Sequence, residues 1–142
     1  LIDAAPESRN ELFAGLMRRM RVCEERGSGI DKALFYVEVY GLPPIEFVEG
    51  DNFFKAILSS PRQFRQMSPA ERLSACYQHC CLRHVSGQPM TNASFRKRLG
   101  LRDEQYAVAW RVIDAAIDKR LIQPRDAKNR SRRHASYIPY WA

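Results

Sequence analysis

"LIQPRDAKNRSRRHASYIPYW", residues 121–141, is the stretch on which the fold turns. Two short apolar pieces, 121–124 and 135–141, flank a polar loop, a pattern that predicts two strands joined at a hairpin. Within the loop, residues 125–134 carry Arg125, Lys128, Arg130, Arg132 and Arg133 against Asp126 alone, a net charge of +4 in ten residues. Such a density has a physical use, because each Lys or Arg set on a phosphate releases condensed counterions and adds affinity without reading sequence. A solvated, disordered loop is the plain alternative. The position between two strand-like pieces favours the nucleic-acid reading, with His134 adding to the charge rather than to catalysis.

Working upstream, the punctuation predicts three helices. Ser68-Pro69-Ala70-Glu71 combines an N-cap, a proline at the first helical position and a capping-box glutamate, so a helix is expected over about 69–86, closed by Gly87 and Pro89. Thr91 is expected to cap a short helix, "NASFRKRLG", that ends at Gly100. Asp103 is expected to cap a third, "EQYAVAWRVIDAAIDKR", with Tyr106, Ala109, Ile113, Ala116 and Ile117 on its buried side. Three helices and then a hairpin with a cationic tip is the plan of a winged helix-turn-helix.

On that plan Arg96, Lys97, Arg98 and Arg102 lie where the DNA backbone would pass, while Gln105 and Arg111 are the candidate base readers. An objection comes from the same helix. A helical wheel puts Glu104, Arg111, Asp114 and Asp118 on its exposed side, and carboxylates repel phosphate. The helix then inserts by its N-terminal end only, or the unit binds through loop and turn, or this face meets a protein.

Four cysteines, Cys23, Cys76, Cys80 and Cys81, read as reduced thiols rather than a disulfide framework. Cys76, His79, Cys80 and His84 share a helical face and have zinc-ligand chemistry, but tetrahedral zinc usually draws on two separate segments and no second Cys/His pair follows. Burial as small apolar core residues is the favoured reading. No Ser/His/Asp set, paired-carboxylate site or Walker-type lysine loop is recognisable.

The N-terminal half has a different character. Residues 1–66 hold 9 Lys+Arg against 10 Asp+Glu, whereas residues 67–142 hold 14 against 6, so the chain's net charge of +7 belongs to its C-terminal half. "SRNELFAGLMRRMRVCEER" places Phe13, Leu16, Met17, Met20 and Cys23 at helical spacing, predicting a helix over about 10–26 stopped by Gly27. "SGIDKALFYVEVYGL" predicts a second from Ser28 to Gly41 with Ile30, Leu34, Val37 and Tyr40 as its stripe. "PPIEFVEGDNFFKAILSS" predicts a β-hairpin turning at Gly50-Asp51-Asn52. Gly27-Ser28-Gly29, at a helix boundary, has the look of a phosphate cradle, yet a helix stop followed by a tight turn explains it as well. Pro61 to Met67 is a polar connector across which the charge balance changes.

The 142 residues are 45% hydrophobic and 27% charged, which fits one globular domain or two small ones. No apolar run approaches the ~20 residues a membrane span needs, and the N-terminus lacks a signal-peptide pattern, so a cytoplasmic protein is expected. The chain opens at Leu1 in what reads as a loop, which suggests a piece of a longer protein.

The combination Ser8-Arg9-Asn10, Glu25-x-Gly27-Ser28-Gly29-Ile30 and Gly41-Leu42-Pro43 resembles the C-terminal part of a family of RecG-related transcriptional regulators, over about residues 6–59. Longer members carry an AlbA-like (Schlafen-type) domain, then a divergent region resembling the GHKL ATPases, then a winged helix. The resemblance implies that Gly27, Ser28 and Gly29 match a late glycine box near the nucleotide phosphates. It also implies that the asparagine, catalytic acid and adenine-contacting box of an active site lie upstream of Leu1. Hydrolysis of ATP by this chain is therefore not expected, and no helicase motif is present.

The resulting expectation is an α+β chain: a helix-helix-β-hairpin remnant of a GHKL-like domain over 1–60, a connector over 61–67, and a winged helix-turn-helix over 68–142. It binds duplex DNA through Arg96, Lys97, Arg98 and Arg102 at the turn and through Lys128, Arg130, Arg132 and Arg133 in the loop. It has no cofactor of its own, ATP being a ligand for the longer protein, and a second copy of the chain is an open partner.

Overall fold

The computed structural model describes residues 8–23, 29–126 and 135–142. Among them the chain is mixed α+β, with five helices and two small antiparallel sheets. The expectations for Gly27 and Ser28, and for Lys128, Arg130, Arg132, Arg133 and His134, lie outside the described residues.

In the first part, α1 spans Glu11–Arg19 and α2 Gly29–Val39, followed by β1 (Glu46–Gly50) and β2 (Phe53–Ile57). Asn10 caps α1, its Oδ1 accepting from the Phe13 N–H at 3.0 Å. The helix is shorter than the apolar spacing predicts. Its stop is Arg21, in the left-handed region at φ 57°, where the N–H groups of Arg21 and Val22 close a Schellman turn on Arg18 and Met17. Helix α2 ends in the same way at Gly41, φ 63°, the sort of position where glycine carries no Cβ penalty. The hairpin pairs Glu46 with Ile57 through to Gly50 with Phe53, leaving Asp51-Asn52 as a two-residue turn.

Burial in this part is thin. Leu34, Val37 and Ile45 form a small cluster against Ala33, Leu42 and, from α3, Leu82. Ile30 and Tyr40, expected on the buried stripe, are exposed, and none of α1 is buried.

The second part is built around α3 (Pro69–Val85), β3 (Met90–Thr91), α4 (Asn92–Arg98), α5 (Tyr106–Asp118), β4 (Ile122–Pro124) and β5 (Ser136–Pro139). Ser68 and Glu71 form the capping box on α3: Ser68 N–H donates to the Glu71 carboxylate at 2.7 Å and Ser68 Oγ accepts from Glu71 N–H at 3.2 Å. Thr91 caps α4, accepting from the Ser94 N–H at 3.1 Å. Asp103 does not cap α5. Residues Asp103–Gln105 form a 3-10 turn before the helix begins, and the Asp103 carboxylate is held by Arg96 instead.

Strand β5 is central, pairing with β3 at Met90–Tyr137 and with β4 at Ile122–Pro139, so the sheet order is β3-β5-β4. Helices α3, α4 and α5 and this sheet enclose one core: Cys76, Cys80, Met90, Phe95, Ala109, Ile113, Ala116, Ile122 and Tyr137, all essentially inaccessible. Burying a side chain such as Phe95 or Ile113 contributes about 1.5–3 kcal/mol. The C-terminal residues are strapped back to α3, where Trp141 Nε1–H donates to Tyr77 Oη at 3.2 Å. No described helix is long and apolar enough to cross a membrane.

Candidate nucleic-acid interface

The residues expected at an interface with DNA fall into three places. The first is the segment between β4 and β5. Arg125 starts it, and its backbone N–H donates to Ser136 O at 2.8 Å, extending the pairing of the two strands by one rung. The antiparallel pairing of Ile122–Pro124 with Tyr137–Pro139 flanks the basic run in sequence, and residues 127–134 of that run lie outside the described residues.

The second place is α4 and the turn after it, where burial divides the four cations. Lys97 and Arg102 are exposed. Arg96 folds inward, donating from Nε to Asn92 Oδ1 at 3.0 Å and from Nη1 to Asp103 at 2.6 Å. Arg98, whose side chain is 5% exposed, donates from Nε to Glu38 Oε2 at 2.5 Å and from Nη2 to Leu42 O at 2.6 Å. Its guanidinium faces α2, not solvent, so the expectation that Arg98 lies along a passing phosphate backbone does not fit this geometry.

The third place is α5. Gln105 closes the 3-10 turn by accepting from the Arg102 N–H at 2.9 Å, leaving its amide nitrogen as a donor. Glu104, Arg111, Asp114 and Asp118 are exposed, as the helical wheel requires. Arg111 also lines a small cavity of about 240 Å³ with Phe64, Arg72 and Val108.

Sequence reasoning missed the junction between the two parts of the chain. Glu38, on α2, is its centre: one carboxylate oxygen takes the hydrogen bond from Nδ1 of His79 on α3, the other that of Arg98 on α4. His79 Nε2 meets Ser94 Oγ at 3.0 Å, and Gln78 Nε2 donates to Ile45 O at 3.0 Å nearby. Burial pushes the Glu38 carboxyl up. The His79 hydrogen bond and charge and then the Arg98 guanidinium outweigh that and hold it below its ordinary value. Histidine 79, one of the candidate zinc-type residues, is thus a structural partner.

Its helical neighbours are core groups. Burial raises the Cys76 thiol well above the usual range and pushes Cys80 up to about 12. His84 packs edge-on to Trp141 at 5.5 Å between centroids. No group of three or more His, Cys, Asp or Glu able to hold a metal occurs among the described residues. Gly29 opens α2, and a Cβ there would meet nothing within 4 Å, so glycine is not sterically demanded at that position.

Comparison with known families bears on the first part of the chain. Residues 1–58 match the family described as "Putative ATP-dependent DNA helicase recG C-terminal". The match runs from the N-terminus through α1, α2 and the hairpin, and it ends one residue past β2. That segment is accordingly RecG-related and GHKL-like, in line with the resemblance carried by Ser8-Arg9-Asn10 and Gly41-Leu42-Pro43. No curated protein and no solved structure shows a significant match to the chain.

Proposed function

We propose that residues 68–142 are a winged helix-turn-helix that binds duplex DNA in a transcriptional regulator, and that the mechanism is recognition without catalysis. One observation carries the reading: β4 and β5 pair antiparallel around a ten-residue segment of net charge +4, behind the helices α3, α4 and α5. The sheet order β3-β5-β4, which sets the short β3 that lies between α3 and α4 in sequence against β5, supports the same reading.

Lys128, Arg130, Arg132 and Arg133 would place the loop on phosphates or in a minor groove, with Lys97 and Arg102 holding the backbone at the turn. Gln105 and Arg111 are the base-reading candidates. The acidic residues Asp114 and Asp118 at the far end of α5 would keep that end off the DNA, so the helix approaches by its N-terminus. Fluorescence anisotropy with a random duplex across salt tests this. Each phosphate contact adds about 0.9 to the salt slope, so replacing Arg130, Arg132 and Arg133 by Ala should lower it by about 2.7. Undetectable binding at low salt, or an unchanged slope, would overturn the reading.

A second reading has its own support in the family match over residues 1–58: that segment belongs to a nucleotide-binding fold, with Gly27, Ser28 and Gly29 beside the phosphates. ATP titration monitored at the amides of residues 27–31 tests it, and shifts confined to those residues are the expected result.

A further inference from the structure

An open cleft of about 700 Å³ lies where the two parts of the chain meet. One wall is the end of α2 and Gly41, another the 3-10 turn Phe64–Gln66 with Arg62, and the third the α4–α5 turn from Lys97 to Gln105. Its lining includes Arg62, Arg65, Lys97, Arg98 and Arg102, and no carboxylate. Two of the five are already matched, Arg62 by Glu71 at 3.1 Å and Arg98 by Glu38. Arg65, Lys97 and Arg102 are exposed and have no carboxylate partner among the described residues.

Local geometry fixes the turn that presents Arg65. Gln63 N–H donates to Gln66 Oε1 at 3.1 Å, the Arg65 carbonyl accepts from Arg72 Nη2 at 3.4 Å, and the Arg72 guanidinium sits 4.3 Å from the centre of the Phe64 ring. The backbone is tied while the Arg65 side chain stays in solvent. The connector is therefore a placed element and not a loose tether.

We infer that this cleft is a second seat for the phosphodiester backbone of duplex DNA, in which Arg65 of the connector joins Lys97 and Arg102 of the α4–α5 turn. The inference rests on the DNA-binding reading and extends the contact surface beyond helix and strand loop. Three like charges from two segments that lack counter-charges repel one another, and an anion relieves that repulsion. A lone small anion satisfies one or two of them. Duplex DNA presents a negative charge for each ~1.7 Å of axis and meets all three along an open cleft that is continuous with the turn. The Gln105 amide nitrogen supplies a further neutral donor at the same edge.

The test is the salt slope of duplex binding for Arg65→Ala, beside the loop variant Arg130→Ala, Arg132→Ala, Arg133→Ala and a charge control, Arg19→Ala on α1. Arg65→Ala should keep the wild-type melting temperature and lose about 0.9 from the slope, one phosphate contact. Arg19→Ala should leave the slope unchanged. If the loop variant lowers the slope and Arg65→Ala does not, the inference is overturned while the DNA-binding reading stands. If Arg19→Ala loses as much as Arg65→Ala, the effect is bulk charge and the inference is overturned. Absence of duplex binding by the wild-type chain overturns both.

Discussion

The two parts of the chain have comparable hydrophobic patterning but opposite outcomes. In residues 68–142 the apolar positions of three helices and three strands converge on one core, with Phe95, Met90, Ile113 and Ala116 fully inaccessible. In residues 8–57 the apolar residues mostly face outward: Leu12 is 91% exposed, and Phe13, Phe53 and Phe54 are each near 60%. Apolar periodicity states which face of an element wants cover. Whether cover arrives depends on the other elements, and here only Leu34, Val37 and Ile45 find it, against α3.

The largest expected effect comes from cutting into the closed core. Phe95→Ala should cost about 3–5 kcal/mol in urea unfolding, through lost transfer energy and the cavity left behind. Leu12→Ala, at an exposed position of α1, should stay within about 0.5 kcal/mol. Equal losses at the two sites would dissolve the contrast between the two parts.

Next comes the junction, where the contrast can be sharpened. Glu38→Gln leaves the nearly buried Arg98 guanidinium without its counter-charge and should cost about 2 kcal/mol. The pH dependence has a definite sign. The folded-state value of Glu38 lies below its unfolded value of about 4.5, so its contribution is full above that pH and is lost as pH falls through the folded value. Thermal melting at falling pH should show a smaller acid loss in Glu38→Gln than in the wild type. Parallel acid profiles would remove Glu38 from the account.

A smaller effect belongs to the turn between α4 and α5. Gly100 has φ 63°, and a Cβ there would meet nothing within 4 Å. Gly100→Ala should therefore cost only the backbone penalty of the left-handed conformation, about 1 kcal/mol by thermal or urea melting.

Local signals were the legible ones. Ser68 with Glu71, Thr91 before α4, and the glycines 41, 87 and 100 announced helix ends because each acts within a few residues of itself. Gly50-Asp51-Asn52 announced the hairpin on the same ground. The failures are informative. Asp103 reads as a cap, but Arg96, seven residues earlier, takes its carboxylate and the chain makes a 3-10 turn first. Arg21 reads as mid-helix, yet it adopts the left-handed stop that a glycine would ordinarily take.

Legibility of the candidate site divides in the same way. The basic run and the α4 cluster are visible as charge, but charge alone does not say which cations remain available. Arg98 is withdrawn by Glu38, 60 residues earlier, and His79 is engaged by the same carboxylate from 41 residues away. Separations of that size leave no local pattern. Arg65 was overlooked for the reverse reason: a polar connector reads as a spacer until its backbone is seen tied against Arg72 and Phe64.

The claim that recognition belongs to the second part is tested most directly by mapping amide shifts over the whole chain as a random duplex is added at low salt. The account predicts shifts at residues 96–106 and 125–135, with a smaller set at 62–66, and none on the hairpin 46–57. Shifts confined to residues 8–57, or none at all, would contradict it.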